Sequence, residues 1–356
     1  MDCYPQAAIA VLASHRRRQT GVALILVVFI IALAGIIVVN LAHSTFISAR
    51  LNSSTERGLQ AEYLLKSALN LARFLIMLDT TAADRPDDPW AYFRNGIEIP
   101  PEWIGISQPN LRVKLEIRPE GAKIPLRALV SPSGMVDRKW RRVLTTLFKD
   151  VLKFDEDKEE DHTGFYPGEH FSSEQMVANL IDYIDADSES YEDPEYPGKG
   201  REKDEVLQNI FPNREIMRSE ELAGIPGFTP ARVQKLLPLV TAQRVWKVNI
   251  NAAPESVLKS LHPNITDDNV RKMVDFRENK EQGPFEDGGG LYNQLESVGL
   301  DQAVISDIAS LVQGKGDLFQ VIAKVDYLTS SYFLRAFVQR QSALGGLPQI
   351  LSVELY

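Results

Sequence analysis

The sequence predicts an α+β fold: a long N-terminal helix, a small antiparallel sheet and a large α-helical insertion between the strands. Three observations carry this reading. Residues 22–39 are apolar or glycine without one charge, and the pattern stays helical to Leu78. Residues 111–118 alternate apolar and charged side chains, and strand-like character returns at Phe319. Between them, helical spacings dominate from about Ser172 to Val312. Strands that share a sheet while flanking an α-rich block make that block an insertion into a small α+β body. The expected organisation is a basic leader over 1–21, a membrane span over 22–42 and an amphipathic continuation of the same helix over 43–80. The body then comprises 81–169 and 313–356, and the inserted helical domain 170–312.

The first element begins behind Arg16, Arg17 and Arg18, which are followed by Gln19, Thr20 and Gly21. Eighteen helical residues at 1.5 Å each reach about 27 Å, close to a hydrocarbon core. Three arginines hold the near end in the cytoplasm. A secretory signal has a shorter apolar region ending in small residues, here Ala42-His43-Ser44. A plain signal anchor fits the length. A third reading places a cut at Gly21–Val22, since a basic leader, a glycine and an apolar helix resemble the class III signal of type IV pilins and pseudopilins.

Beyond the span, Leu64, Ala68, Leu71, Leu75 and Leu78 recur at helical spacing and define an apolar face, with Glu62, Lys66, Asn70 and Arg73 elsewhere on the wheel. One helix is expected from Val22 to Leu78, bent at Gly58. Asp84-Arg-Pro-Asp-Asp-Pro breaks it. A strand over 111–118 ends at Pro119-Glu-Gly-Ala, and a short helix is expected from Trp140 to Leu152. Residues 155–161 hold six acids in seven positions and read as a solvated loop. Phe319–Val325, Tyr332–Val338 and Ile350–Tyr356 supply the late strands.

The net charge of −9 sets an acidic body against a phosphate backbone, which attracts proteins mostly electrostatically. Removing residues 1–21, which carry Asp2 against three arginines, leaves the body more acidic still. The single cysteine, Cys3, lies in the leader, so a chain beginning at Val22 has neither disulfides nor thiolate metal sites.

Three motifs bear on chemistry. Asp182, Asp185, Asp187, Glu189, Glu192, Asp193 and Glu195 crowd one segment. Hard cations such as calcium take six to eight oxygens from such loops. It is not an EF-hand: counting from Asp185, position 6 is Ser190 where glycine belongs and position 12 is Tyr196 where glutamate belongs. The plain alternative is a helix ending in a soluble turn. Glu221–Leu237 reads as a helix-hairpin-helix, a unit that binds DNA when glycine-rich amides approach a phosphate. Here Gly227 is followed by Phe228 and Thr229, and the second unit, Val248–Leu258, has no Gly-x-Gly. Both read as packing hairpins, with Asn251 or a neighbour capping the helix begun near Pro254. Finally, the five histidines are scattered, and no Gly-x-Ser-x-Gly, His-Glu-x-x-His or Gly-x-x-x-x-Gly-Lys motif occurs. A non-enzyme is expected. The competing readings are a membrane-anchored helix-hairpin-helix protein binding nucleic acid and an anchored metal-dependent enzyme.

The leader and span, Lys123-Ile-Pro-Leu, Leu180-Ile-Asp-Tyr-Ile-Asp-Ala-Asp, Asn213-Arg-Glu-Ile-Met-Arg-Ser-Glu-Glu-Leu and Val248-Asn-Ile-Asn-Ala-Ala-Pro, in that order, resemble the general secretion pathway protein K family. These are the large minor pseudopilins of type II secretion. The resemblance runs from about Arg16 to the late strands. It implies prepilin-peptidase cleavage between Gly21 and Val22 and N-methylation of Val22. Leu26 takes the fifth mature position, where most pilins carry glutamate; members of this family commonly lack that acid, which is costly in lipid without a partner.

The same resemblance implies a single pass through the inner membrane with the C-terminal body in the periplasm. It implies a place at the tip of a short pseudopilus with two other minor pseudopilins, served by the inner-membrane secretion platform, and supporting pseudopilus initiation and export of folded proteins. No nucleic-acid partner is expected. The helical insertion would cap the tip. The family's association with calcium in its α-rich domain points to Asp185, Asp187, Glu192 and Asp193 as ligands here, although Pro194 and the extra glutamates depart from the usual acidic loop.

Overall fold

The computed structural model describes residues 8–100, 103, 111–153, 160–207, 210–328, 330–341 and 346–356, with side chains from Val22 onward. The chain divides into two compact units, one ending at Tyr63 and the other Leu64–Tyr356. Helix α1 (Ala8–Leu78) contributes to both.

In the first unit, α1 begins 14 residues before the expected start at Val22. Residues 8–18 contain no glycine or proline and include good helix formers, so nothing in that stretch stops the helix. The large apolar side chains from Val22 to Val39 are 48–70% exposed. This stretch is long and apolar enough to cross a membrane. Farther on, Thr45 and Thr55 hydroxyls donate to the carbonyls of Leu41 and Leu51 at 2.8 and 3.0 Å, satisfying themselves on their own helix. The helix continues through Gly58.

The second unit opens with β1 (Ile97–Ile99), β2 (Leu111–Pro119) and β3 (Ile124–Pro125). A helical block follows: α2 (Arg138–Leu152), α3 (Ser173–Ile184), a 3-10 turn at Ser219–Gly224 and α4 (Pro230–Leu236). After β4 (Val240–Thr241) and β5 (Val248–Asn249) come α5 (Glu255–Ser260), α6 (Asp267–Glu278), α7 (Gly289–Ser297) and α8 (Gln302–Ile308). The chain closes with β6 (Val312–Gln313), β7 (Leu318–Tyr327), β8 (Ser330–Gln339) and β9 (Gln349–Leu355).

The main sheet has the order β1-β2-β7-β8-β9, antiparallel throughout. Strands β2 and β7, separated by the whole helical block, pair from Leu111↔Tyr327 to Pro119↔Phe319. Two short parallel pairs, β3 with β4 and β5 with β6, clip the block where it leaves and rejoins the body. At the first clip, Glu120 is buried and takes hydrogen bonds from Lys123 Nζ at 2.6 Å and Thr241 Oγ1 at 2.5 Å. The Lys123-Ile-Pro-Leu motif is therefore the joint itself.

The block has one apolar core running from Ile124 to Val312. Helix α2, grouped with the body from sequence, packs against α3 and α5 and buries Trp140, Val143, Leu144, Leu147 and Phe148 in that core. The boundary at residue 170 is corrected accordingly: the helical packing begins at β3. Asp137 caps α2, accepting from Lys139 N and Trp140 N at 2.8 and 3.1 Å.

On the sheet, Val113, Leu115 and Ile117 of β2, Val321, Ala323 and Val325 of β7, and Leu334, Ala336 and Val338 of β8 form one buried face. The buried stripe on the α1 turns of this unit is Leu65, Ala68, Leu69, Ala72 and Ile76. Neither set belongs to the helical-block core, and each covers the other. This corrects the expected stripe, since Leu64, Leu71 and Leu75 are only half-buried and Leu78 is 47% exposed. Two alanines, Ala68 and Ala72, lie within the buried stripe, and the leucines one position round from it are half-buried.

A buried ion network fixes the end of α1. Arg340 Nη2 lies 2.5 Å from Asp79 Oδ2, and Arg340 Nη1 lies 3.1 Å from Asp84 Oδ1. Trp90 Nε1 donates to Asp79 Oδ2 at 3.1 Å, while Asn249 Nδ2 and Gly316 N donate to Asp84 Oδ2 at 2.5 and 2.9 Å. Burial works to raise Asp79, yet Thr81, Arg340 and Lys315 outweigh it and hold its carboxyl below the usual range. For Asp84 burial wins, and its carboxyl is raised. The segment that read only as a helix breaker thus ties α1 to the sheet through Arg340, to β5 through Asn249 and to the chain just past β6 through Gly316.

Leu69→Asp should cost about 2–5 kcal/mol, against about 1 kcal/mol for half-buried Leu71→Asp, as read by chemical denaturation of the full chain in detergent. Arg340→Met should cost about 3–5 kcal/mol in the same assay, because it leaves Asp84 buried without its cation and Asp79 with only the Lys315 ammonium at 3.7 Å.

Candidate functional site

The acidic segment is organised by Asp182, which is fully buried in the last turn of α3. Its carboxylate accepts from Tyr191 N at 2.6 Å and Glu202 N at 2.9 Å, drawing the following loop back onto the helix end. Burial pushes its carboxyl up to about 6 despite those amides. Gly200 makes this approach possible: a Cβ there would lie 2.1 Å from Asp182 Oδ1. Asp182 is therefore the loop's internal anchor.

Three other acids converge beside it. Single carboxylate oxygens of Asp185, Asp187 and Glu202 lie within 4.8 Å of one another. Asp185 Oδ1, Glu202 Oε2 and Asn213 Oδ1 are buried without a hydrogen-bond partner. Asn213, at φ +45°, donates through Nδ2 to Glu202 Oε1 at 2.6 Å and to the Asp187 carbonyl, so its amide bridges the two sides of the cluster. Burial, followed by repulsion from Asp187, Asp182 and Glu202, pushes the Asp185 carboxyl up to about 8. Burial also raises Glu202. Unsatisfied oxygens of this kind, with like charges converging, match the donor set of a hard divalent cation.

Glu192 and Asp193 do not join this group. Glu192 is exposed and pairs with Lys199 at 3.1 Å. Asp193 lies 2.5 Å from Arg141 Nη1 and 3.9 Å from Arg138, and Arg141 stacks 4.3 Å from the Tyr196 ring centre. Of the four expected residues, the structure brings the carboxylates of Asp185 and Asp187 together, whereas Glu192 pairs with a lysine of its own loop and Asp193 with arginines of α2. Glu202 was missed because it lies 15 residues beyond Asp187, and no local spacing connects them. The close Gly198 and Gly200, which bring the loop home, were the available signal.

A second acidic group, Asp79, Asp84 and Asp88, also has oxygens within 4.8 Å of one another. There the cation is already Arg340, with backbone and side-chain donors on the remaining oxygens. It is the structural network described above.

The hairpins are occupied from within. At the first, Gly227 at φ +93° donates its amide to Asp161 Oδ1 at 3.1 Å, and Arg232 Nη1 donates to the Gly227 carbonyl at 2.7 Å. The position a phosphate takes in DNA-binding hairpins is filled by a carboxylate of the chain itself. Asp161, expected in a solvated loop, is buried; residues 154–159 of that acidic run lie outside the described residues. At the second hairpin, Asn251 does not cap a helix. Its Nδ2 donates to the carbonyls of Phe285 and Gly314, both at 2.8 Å, and its Oδ1 accepts from Phe285 N at 3.0 Å. Pro254 precedes α5 with no side-chain cap.

Gly21 and Val22, the expected cleavage pair, lie within α1, where Val22 is 65% exposed; Leu26 is 57% exposed.

Family models of the type II secretion system (T2SS), protein K, match residues 122–245 and 248–311, which together tile the helical block and cover more than half of the chain. No curated protein matches the chain. Among solved structures it is similar to a chain in the crystal structure of the GspK-GspI-GspJ complex from the enterotoxigenic Escherichia coli type 2 secretion system. The TM-score is 0.58 at 16% identity, over 86% of this chain and 99% of that one, a likeness of fold. The inserted block, the antiparallel sheet with its long helix, and the two matching models agree: this chain belongs to the protein K family of type II secretion, the minor pseudopilins that carry a helical insertion.

Proposed function

We propose that this chain is the minor pseudopilin at the tip of a type II secretion pseudopilus, a structural subunit without catalytic activity. The observation that carries the reading is the helical block itself. Parallel strand pairs close it at the points where it leaves and rejoins the helix-and-sheet body, and it broadens that body at one place in the chain. A subunit so broadened is hard to stack upon and suits the end of a filament. Residues 22–42 anchor the chain in the inner membrane, with the body in the periplasm. Its partners are two other minor pseudopilins, as in the related GspK-GspI-GspJ complex, together with the inner-membrane platform. In this role it supports pseudopilus initiation and the export of folded proteins.

Maturation follows from the N-terminus. Prepilin peptidase cuts between Gly21 and Val22, and Val22 is methylated. Intact-mass and N-terminal analysis of the membrane-extracted protein should find a chain beginning at methylated Val22. A chain that retains Arg16–Arg18 would refute this reading.

Calcium would be held by Asp185, Asp187 and Glu202, with the orphaned Asn213 oxygen beside them. Bound there, it supplies structural charge neutralisation. At a calcium concentration 100 times its Kd, the gain should be about 2.7 kcal/mol, read as a higher Tm in calcium than in chelator. Asp185→Asn should abolish that difference while raising the Tm of the calcium-free chain. Asp193→Asn should leave the difference intact.

The pH dependence has a definite sign. Asp185 titrates near 8 when folded against 3.8 in its ordinary setting, so the folded state prefers the protonated acid. Its contribution is fully present below the unfolded value and is lost as pH rises through about 8. Without calcium, the Tm should therefore fall between about pH 6 and pH 8, and calcium should flatten that slope.

A further inference from the structure

The outer face of the sheet, opposite the face that covers α1, looks into a cleft of about 910 Å3 whose other wall is the helical block. Leu318, Gln320 and Ile322 of β7 and Arg335 and Phe337 of β8 floor it. The chain as a whole carries a net charge of −9. The cleft is lined by six arginine and lysine side chains against only three carboxylates, Glu120, Glu220 and Glu354. A concave site of one sign concentrates ligands of the other.

Of the six basic side chains, Arg118, Lys123 and Arg127 are closely paired with Glu116, Glu120 and Glu215 at 2.5, 2.6 and 3.2 Å, whereas the pairs of the other three are loose. Arg218 and Arg335 share Glu220 and Glu354 at 3.5–4.0 Å. Arg244 reaches Glu215 at 3.5 Å, a carboxylate it shares with Arg127. Exposed pairs at these distances contribute little, so the guanidiniums are free to turn to better-placed carboxylates. Apolar contact is available alongside: Trp246 is 52% exposed and Tyr356 61% exposed. Exposed aromatics beside arginines are the chemistry of interface anchors.

The cleft also opens onto a strand edge that has no partner among the described residues. Strand β9 is last in the sheet, all seven of its residues are exposed, and its Ser352 and Glu354 line the cleft. Phe333 and Tyr356 exchange both backbone hydrogen bonds, at 2.8 and 3.1 Å. By antiparallel alternation, the backbone groups of Leu355 and Val353 face outward. No proline or lysine guards this edge. A strand added there would place alternate side chains on the face that carries Ser352 and Glu354, beside Arg218 and Arg335.

We propose that this edge and cleft capture an extended, acidic polypeptide segment of a partner protein. Its backbone pairs with β9, its carboxylates meet Arg218, Arg244 and Arg335, and its apolar side chains meet Trp246. The floor from Leu318 to Ile322 spans about 14 Å, room for about four extended residues.

The test is fluorescence anisotropy of the full chain in detergent micelles with a labelled peptide of alternating glutamate and valine. The acidic peptide should bind, with affinity falling as salt is added. The same peptide with lysine for glutamate should not bind. Arg244→Glu and Trp246→Ala should each weaken binding by about tenfold, with the Tm unchanged. Val353→Pro should weaken binding similarly without unfolding the sheet, since that N–H makes no ladder bond. No anisotropy change with the acidic peptide would overturn the proposal, as would binding indifferent to all three substitutions. Equal binding of an oligothymidine would reduce the site to a general anion patch and overturn it too. A concentration-dependent dimer of the chain that Arg244→Glu dissolves would assign the cleft to a second copy instead.

Discussion

The pairing of β2 with β7 is the constraint on which the second unit depends. Pro119 lies opposite Phe319, so the chain leaves the sheet and returns to it on adjacent strands, about 5 Å apart. Everything from Ile124 to Val312 must fold as a closed excursion from that point, and its core is correspondingly self-contained. The β3–β4 and β5–β6 clips and the Asp84 bonds to Asn249 and Gly316 reinforce the closure. A long excursion costs only slowly growing loop entropy once its own core is stable. That is why a small sheet can carry so large a block.

Two acid clusters in this protein meet the same electrostatic problem and resolve it differently. Around Asp79 and Asp84 the compensating charge is covalent to the chain: Arg340, packed over the Phe319 ring at 5.0 Å. Around Asp185, Asp187 and Glu202 the nearby basic side chains are engaged elsewhere. Lys203 pairs with Glu189, Lys199 with Glu192, and Arg141 with Asp193. The first arrangement fixes a joint permanently. The second leaves buried oxygens whose cost only an added cation or proton can relieve.

The hairpins show how a widespread supersecondary unit changes its work through one contact. A hairpin amide that could receive a phosphate receives Asp161 instead, and Asn251 spends its amide group on joining Phe285 and Gly314. Both hairpins become internal packing joints of an acidic protein. The cleft beside the sheet is the place where positive charge gathers.

The sequence by itself determined what depends on local pattern. The apolar run from Val22, the alternation of Leu111–Arg118 and the spacing of Trp140–Leu152 each name their element, because helix and strand periods are properties of neighbouring residues. The leader and span and the motif order from Lys123 to Pro254 together resembled the family that the two matching models show. The tertiary structure decided what depends on meeting across distance. It chose Leu65, Ala68, Leu69, Ala72 and Ile76 over the leucines beside them. It moved α2 into the helical core, brought Glu202 and Asn213, and not Glu192 and Asp193, beside Asp185 and Asp187, and put Asp161 under the hairpin. A side chain's charge is written in the sequence, but its partner is chosen only when the chain closes.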